Sequence, residues 1–430
     1  TKWGRFRPWL LIGTITNAVV LYLVFSAPPA LTGSGLAAYA AVFYILWGVT
    51  YTMMDIPYWS MIPAFTEGGK EREGLTAMAR SCAGVGSALI TVVTMLVVPA
   101  LGGIAHPEES AKASEISAQI NDMTLSGADE ATLAPLQEQL SALNRPIEIS
   151  GFSAFSLIIA IIFIAFITIT CLFIKEKSSV EMESPSIGQM FKALVTNDQA
   201  MTVVVTIVLV NASLYITSNL LIYFFKYDIG GSGWNGSYVL FNTFGGGMQI
   251  LSMMVAYPLL RKFLSVTKVC YLSFFFAIGG YAVLFVLMMT GVKSLAFLLI
   301  PGFFVFVAFG LLTVLTTVFL ANTVDYGELK NHRRDESVIF SMQTFVVKLA
   351  SGVAVFLTGI ALDLFRISKN TEGVADAAES ATANLTGLRL TMTVLPIAGM
   401  LLALFIFFKR FILTEEKMAE INKELEAGRK

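Results

Sequence analysis

The sequence has little charge, few cysteines and almost no histidine. Charged residues make up 14% of its 430 residues, and the chain contains three cysteines and two histidines. The cysteines lie far apart in or beside apolar runs, which indicates thiols buried in a membrane rather than metal ligands. No phosphate-binding Gly-Lys-Ser/Thr loop and no nucleophile motif is present, so neither ATP-driven transport nor an enzyme is predicted. The net charge of -1 gives no indication of a nucleic-acid partner, and no cofactor is predicted.

Apolar residues are what the sequence has in abundance. They form 56% of the chain and give a mean hydropathy of +0.73, far above that of a soluble domain. Several runs are long enough to cross a bilayer core of about 30 Å. The sequence therefore predicts an all-α polytopic membrane protein. Its ten predicted spans cover residues 8–27, 36–62, 74–101, 151–174, 200–225, 237–260, 268–289, 294–323, 337–364 and 388–408.

The lysines and arginines of the connections predict the orientation of the chain. Alternate connections are basic and the intervening ones are poor in base, a pattern typical of cytoplasmic and external loops respectively. Both ends are therefore predicted to be cytoplasmic, at the cell (inner) membrane. The long external connection, residues 102–150, is acidic, and is either a pair of short amphipathic helices or a flexible insertion.

A polar linker at residues 175–198 divides the predicted spans into four and six. We predict an N-terminal bundle at 1–174, a six-helix bundle at 199–412, and a tail at 413–430 that holds a charged, solvated helix. Transporters built from two repeated bundles around a midplane site are typically six plus six. The four-plus-six pattern looks like ten of an expected twelve helices, with two missing from the front.

The stretch 51–60 places an acid and an indole inside an apolar run. A carboxylate there costs roughly 2.5 to 3.5 kcal/mol on insertion scales, so it usually has a use. Asp55 and Trp59 are four residues apart and share one helix face with Thr52. A carboxylate beside a flat ring suits a ligand rich in hydroxyls. The alternative is a buried acid paired with a nearby base, with Trp59 as an interfacial anchor.

Two bases, Arg80 and Lys348, lie well inside predicted spans. Lys348 is about 16 Å from the start of its helix and continues a polar stripe with Ser341 and Thr344. Such a stripe is a helix–helix contact or a cavity wall, and the lysine favours the cavity. Arg80 lies about two turns inside its span, where it either reaches back to the interface, pairs with Asp55 or donates to ligand hydroxyls.

A dense group of charges connects the eighth and ninth predicted spans. It is either a solvated loop or an ion-pair latch that holds one face of a transporter closed. The residues of this predicted cytoplasmic gate are Asp325, Glu328, Arg333 and Arg334.

Five short motifs resemble the glycoside–pentoside–hexuronide:cation symporter family of the major facilitator superfamily. They are WGRFRPW at 3–9, DIPYWSMIP at 55–63, KERE at 70–73, DYGE at 325–328 and QTFVVK at 343–348. Apart from the acidic connection, the resemblance covers the whole chain. It implies a two-bundle transporter that works by alternating access, with a sugar and a monovalent cation, Na⁺ or H⁺, as its small-molecule partners and the bilayer as its surroundings. No oligomer is implied.

The resemblance also implies roles for individual residues. Asp55 corresponds to an acid that accepts sugar hydroxyls, Trp59 to an indole that packs on the ring, and Thr52 to a hydroxyl near the cation site. Arg80, Gln343, Thr344 and Lys348 correspond to further sugar-site residues, with Lys348 linking sugar and cation. The family's two preceding helices, with the acids that bind the cation, are absent here. The 430 residues alone are therefore expected not to couple transport to a cation gradient. Alternatives are a lysolipid symporter of the same fold and a non-transporting sensor or assembly protein.

Overall fold

The computed structural model describes residues 4, 6–28, 31–66, 69–125, 130–174, 195–231, 234–331, 336–367 and 383–428. The regular structure of these residues is helical, without strands, which confirms the predicted all-α class. The α-helices are α1 Arg7–Val24, α2 Gly33–Phe65, α3 Gly69–Ala105, α4 Pro107–Leu125, α5 Glu130–Phe173, α6 Asp198–Tyr223, α7 Trp234–Leu251, α8 Tyr257–Leu260, α9 Val266–Met289, α10 Leu295–Asn331, α11 Glu336–Leu364, α12 Leu385–Arg410 and α13 Glu415–Gly428. Two π-helical turns, Phe224–Ile229 and Ser252–Ala256, follow α6 and α7.

Ten helical segments within the described residues have the length and composition needed to cross a membrane. They follow the ten predicted spans, because each span is an apolar run of at least 18 residues. The acidic connection is helical as well, since it forms α4 and the beginning of α5. The second of the two predicted short helices is therefore not a separate element. At 1.5 Å per residue the 44 residues of α5 extend about 66 Å, roughly twice the thickness of a bilayer core.

The chain divides into two compact units. The first unit comprises Thr1–Trp59 and Gly86–Glu176, and the second comprises Ser60–Val85 and Lys177–Lys430. The end of α2 and the beginning of α3 thus belong to the second unit. The predicted domain boundaries stay a prediction, and residues 175–194 of the predicted linker lie outside the described residues.

In the first unit, glycines allow helices to approach backbone to backbone. A Cβ at Gly102 of α3 would lie 2.0 Å from the carbonyl oxygen of Ile147 in α5, and one at Gly151 of α5 would lie 2.2 Å from that of Val98 in α3. Small residues at such contacts are typical of membrane helices, because van der Waals packing replaces the hydrophobic effect within lipid. The helix pair α3–α5 therefore depends on the absence of side chains at these two positions.

In the second unit, α10 is the most buried helix. More than half of the residues in its most apolar stretch of 18 residues are buried. The helix packs against α7, α9 and α6. At Gly310 an added Cβ would lie 2.4 Å from the carbonyl oxygen of Gln249, so α7 also comes close to the α10 backbone. The polar Asn197 caps α6 by accepting from Ala200 N, and its amide donates to Thr323 O of α10 over 2.8 Å.

The C-terminal helix α13 is not fully solvated, contrary to the prediction. Its residues Met418 and Ile421 are buried and pack with Tyr326 and Leu329 at the end of α10. The prediction was wrong because it counted the charged residues of this segment without considering which face they occupy. The apolar residues are spaced so that they share one face of the helix.

Candidate sugar and gating sites

Asp55 and Trp59 form one hydrogen-bonded group in the first unit. Trp59 Nε1 donates to Asp55 Oδ1 over 2.9 Å, and the Tyr51 hydroxyl donates to the same oxygen over 3.3 Å. The three side chains are spaced by four residues on α2, so they lie on one helix face. Asp55 and Tyr51 are half-buried, whereas Trp59 is 9% exposed. The hydrogen bond therefore holds the carboxylate and the indole in a defined arrangement.

Thr52 lies on α2 three residues before Asp55. Its Oγ1 donates to the carbonyl oxygen of Val49 over 2.7 Å. This is the usual way in which a threonine within a helix satisfies its hydroxyl. The proximity of Thr52 to a cation site stays a prediction.

Arg80 lies on the part of α3 that belongs to the second unit. Its Nε donates over 3.0 Å to Thr317 Oγ1 of α10, and Thr317 in turn donates to Thr313 O. Thr317 is fully buried. The guanidinium is thus directed toward a buried polar position on a neighbouring helix, which favours a role within the protein over a return to the membrane interface.

The three predicted residues of α11 lie in the second unit but differ in burial. Gln343 is buried, Thr344 is half-buried and Lys348 is exposed. Thr344 Oγ1 donates to Phe340 O over 3.3 Å. The polar face therefore runs from the interior of the unit to its surface. An exposed lysine within an apolar span is disfavoured in contact with lipid, so it is expected to face water.

Arg72 forms a buried ion pair with Asp325. Arg72 Nη1 lies 2.5 Å from Asp325 Oδ2, and the side chains are 1% and 4% exposed. Arg72 also donates to Thr66 Oγ1 and O and to Ala321 O. The pair thus joins the beginning of α3 to α10 within the second unit, and several hydrogen bonds offset the cost of burying the guanidinium.

Glu73 forms a second, bidentate pair with Arg261. Arg261 Nε and Nη2 donate to the two carboxylate oxygens over 2.6 and 3.1 Å, and Arg261 also lies 3.0 Å from Glu415 Oε1 of α13. Partial burial alone would lower the pKa of Arg261, but the hydrogen bond and charge of Glu73, with the charge of Glu415, raise the pKa overall. Arg261 therefore stays protonated and links three segments of the second unit.

The predicted gate residues are only partly explained by these pairs. Asp325 pairs with Arg72, and Glu328 is half-buried on the next turn of α10. Arg333 and Arg334 lie outside the described residues. Sequence reasoning did not assign Arg72, Glu73 and Arg261 to a gate, although alternating charges in KERE and a basic connection at 261–262 were available as a signal.

A third ion pair, also missed from the sequence, lies between the π-helical turn after α6 and the beginning of α12. Arg389 Nε and Nη2 donate to the two oxygens of Asp228 over 2.7 and 2.6 Å. Next to it, Lys226 is 1% exposed, and its Nζ lies 5.5 Å from the Tyr227 ring centroid. The sequence indicated this pair only in one way. Asp228 and Arg389 carry opposite charges and lie at the ends of two predicted spans, on the same predicted side of the membrane.

The described residues contain no group of three or more His, Cys, Asp or Glu that could hold a metal ion. Cys171 and Cys270 are buried as predicted. Cys82 is exposed on the candidate membrane span Gly69–Ala105, so its thiol is not packed within the protein, and its burial in the membrane stays a prediction. Apolar surroundings in the sequence do not distinguish a helix face that is packed from one that is open.

The described residues thus form an all-helical, polytopic membrane protein with ten candidate spans and polar groups within them. A family model described as MFS/sugar transport protein matches residues 1–415. The chain belongs to this family, which confirms the predicted resemblance to sugar-transport proteins of the major facilitator superfamily.

Two curated relatives and one solved structure show the extent of the similarity. The chain is 29% identical over 430 residues to the raffinose carrier protein of Pediococcus pentosaceus, covering 98% of the chain and 59% of the relative. It is 25% identical over 436 residues to the lactose permease of Leuconostoc lactis, covering 99% and 60%. The chain thus spans about three fifths of the length of these relatives. The crystal structure of the transporter FucP in the outward conformation is similar with a TM-score of 0.62 and 12% identity, covering 94% of this chain and 84% of that one, and shows the fold alone.

Proposed function

We propose that the chain transports a glycoside or a related sugar together with Na⁺ or H⁺. Membership of the MFS/sugar transport protein family supports the transporter class, and relatives named for raffinose and lactose support a sugar. The observation that carries the proposal is the hydrogen-bonded pair of Asp55 and Trp59 on an apolar helix.

The chemistry of this pair suits a sugar. A carboxylate accepts strong hydrogen bonds from hydroxyl groups, and an indole covers the apolar C–H face of a pyranose ring. Because Trp59 Nε1 donates to Asp55, the two surfaces are held in one arrangement before the ligand arrives. Preorganisation of this kind lowers the entropy cost of binding.

Further donors are assigned as part of the same proposal. Arg80, Gln343, Thr344 and Lys348 donate to sugar hydroxyls, and Lys348 connects sugar binding with cation binding. Thr52 supplies a hydroxyl near the cation. The family resemblance supports these roles, and the hydrogen bond of Arg80 to Thr317 supports a protein-facing guanidinium.

The ion pairs Arg72–Asp325 and Glu73–Arg261 form the latch of this proposed transporter. They join the beginning of α3 to α10 and to the connection after α8. Alternating access requires that one face opens while the other is closed. A latch of buried pairs suits that purpose, because a hydrogen-bonded pair holds one state until binding energy favours the other. The positive-inside distribution of Lys and Arg supports a cytoplasmic location of this latch, with both chain ends on the same side of the cell membrane.

Uptake into proteoliposomes tests the transport proposal. Radiolabelled raffinose and lactose are offered to vesicles that contain the chain, under a Na⁺ gradient, a proton gradient or neither. Because nearly the whole chain matches a sugar-transport family, we expect uptake that a cation gradient stimulates. This result would also overturn the expectation from the sequence that the 430 residues alone do not couple transport to a cation gradient. Asp55→Asn is expected to lower uptake roughly tenfold or more, because a charge-assisted hydrogen bond contributes about 1.5 to 3 kcal/mol. Trp59→Phe keeps an aromatic face but loses the indole N–H, so a smaller loss is expected.

Matched controls use the same chemical changes elsewhere. Glu108→Gln removes an exposed acid of α4, and Trp9→Phe replaces an exposed tryptophan of α1. Both are expected to transport like the parent chain. Unchanged uptake in Asp55→Asn and Trp59→Phe would contradict the site assignment, and the absence of uptake under every gradient by the parent chain would contradict the transport proposal.

A further inference from the structure

A cavity of about 680 Å³ lies beside the beginning of α3 in the second unit. Its walls come from α3, from the π-helical turn after α7, and from α8 with the connection that follows it. The sugar proposal uses none of its apolar lining.

One end of the cavity is basic. Lys70, Arg261 and Lys262 line it, together with the single acid Glu73. Arg261 is already paired with Glu73 and Glu415. Lys70 and Lys262 are exposed, and neither forms an ion pair with another described residue. The two lysines are therefore the charges available to an incoming anion.

The rest of the cavity lining is mostly apolar, with Ser81 and Tyr257 as its members that carry a hydroxyl. Met78 and Met254 line it and are 66% and 49% exposed, and Met253 and Pro258 complete the wall. These residues lie within two of the candidate membrane spans. Exposed apolar side chains on a membrane span are in contact with lipid chains. The apolar part of the cavity is thus suited to contact with lipid chains.

The length of the cavity matches one leaflet of a bilayer. Its lining on α3 extends from Lys70 to Cys82, which at 1.5 Å per residue is about 18 Å. Half of a hydrocarbon core is about 15 Å. Gly74 leaves space for a ligand along this part of α3, because a Cβ added there would meet no atom within 4 Å. The charged end and the apolar length are therefore spaced like the headgroup and acyl chain of one lipid.

We propose that this cavity binds an anionic phospholipid. The phosphate lies between Lys70 and Lys262, and one acyl chain runs along Met78 and Met254 toward Cys82. A sugar does not suit the apolar wall, and a soluble anion would leave that wall exposed. Basic pockets between membrane helices are known to recognise anionic headgroups. This proposal does not depend on the sugar proposal, because none of its steps involves transport.

Lipid titration followed by native mass spectrometry tests the proposal. The purified chain is titrated with phosphatidylglycerol and, separately, with phosphatidylcholine of the same acyl chains. We expect a tight first site for phosphatidylglycerol only. The double variant Lys70→Gln/Lys262→Gln is expected to weaken that site roughly thirtyfold, because each lysine contributes about a factor of five. The matched control Lys268→Gln/Lys409→Gln removes two exposed lysines that do not line the cavity, and should leave the first site unchanged.

A second measurement separates lipid binding from loss of structure. Cys82 lines the cavity and is exposed, whereas the other two cysteines are buried. Phosphatidylglycerol is expected to slow the reaction of Cys82 with N-ethylmaleimide in the parent chain but not in Lys70→Gln/Lys262→Gln. Gly74→Leu fills the cavity without changing charge and is expected to abolish the protection by lipid.

Three results would overturn the proposal. The first is equal affinity of the parent chain for phosphatidylglycerol and phosphatidylcholine. The second is equal weakening by the control lysine variant, which would mean a general surface attraction. The third is a Cys82 reaction rate that lipid does not change.

Discussion

The buried pair between Arg72 and Asp325 makes a quantitative prediction about stability. Both side chains are almost inaccessible, and the pair is supported by hydrogen bonds from Arg72 to Thr66 and Ala321. Removing one partner of a buried pair costs about 3 to 5 kcal/mol, because the other charge stays buried without compensation. We therefore expect Arg72→Gln to be among the most destabilising single substitutions of a polar residue in this chain.

The expected change in melting temperature follows from the size of the protein. Unfolding entropy of about 2.1 cal/mol/K per residue gives roughly 0.9 kcal/mol/K for a chain of 430 residues. A loss of about 3 to 5 kcal/mol then lowers the Tm by roughly 3 to 6 °C. The measurement is thermal unfolding of the purified chain in one detergent, followed by intrinsic tryptophan fluorescence at a fixed scan rate.

A double substitution distinguishes an ion pair from general loss of packing. Arg72→Gln/Asp325→Asn removes both charges but keeps groups that can hydrogen-bond, so it leaves no uncompensated buried charge. Its Tm should be higher than that of Arg72→Gln alone, which is the sign of coupled residues. Arg145→Gln removes an exposed arginine of α5 and should change the Tm by less than about 1 °C. A Tm of Arg72→Gln equal to that of the parent chain, or a Tm of the double variant below that of Arg72→Gln, would contradict the predicted contribution of this ion pair.

The remaining predictions concern a close helix contact and a second ion pair. Gly102→Ala places a Cβ about 2 Å from Ile147 O. It should lower the Tm by at least 2 °C, because the two backbones must separate. The control Gly86→Ala adds a Cβ that meets open space and should not lower the Tm. Equal Tm values for these two variants would refute the backbone contact. Asp228→Asn removes the charge that holds Arg389 by two hydrogen bonds and should lower the Tm by about 3 °C; a Tm within 1 °C of the parent would show that this pair contributes little.

Hydropathy predicted the membrane spans because a segment that crosses lipid must be a long apolar run. Such a run satisfies its backbone polar groups within a helix. It did not predict where α5 begins. The predicted span starts at residue 151, whereas the helix starts at Glu130 and continues through Pro135 and Pro146. Hydropathy identifies the part of a helix that is apolar enough to contact lipid. The first half of α5 is polar, so hydropathy does not detect it.

The relation between Asp55 and Trp59 was also available from the sequence, because it is local. Residues four apart on a helix share a face, and Trp59 does donate to Asp55. The same spacing argument placed Thr344 and Lys348 on one face of α11. It did not show that Gln343 is buried while Lys348 is exposed, because burial depends on the neighbouring helices.

The sequence by itself determined the all-helical membrane class, the ten spans and the helix faces that carry polar residues, since these follow from hydropathy and a helical period over neighbouring residues. Only the tertiary structure decided which distant charges meet. Arg72 and Asp325 are 253 residues apart, and Glu73 and Arg261 are 188 apart. Every charged loop residue has several candidate partners along the chain, and the packing of α3 against its neighbours selects one. The cavity with Lys70 and Lys262 at its basic end arises in the same way, from helices whose separation no local pattern records.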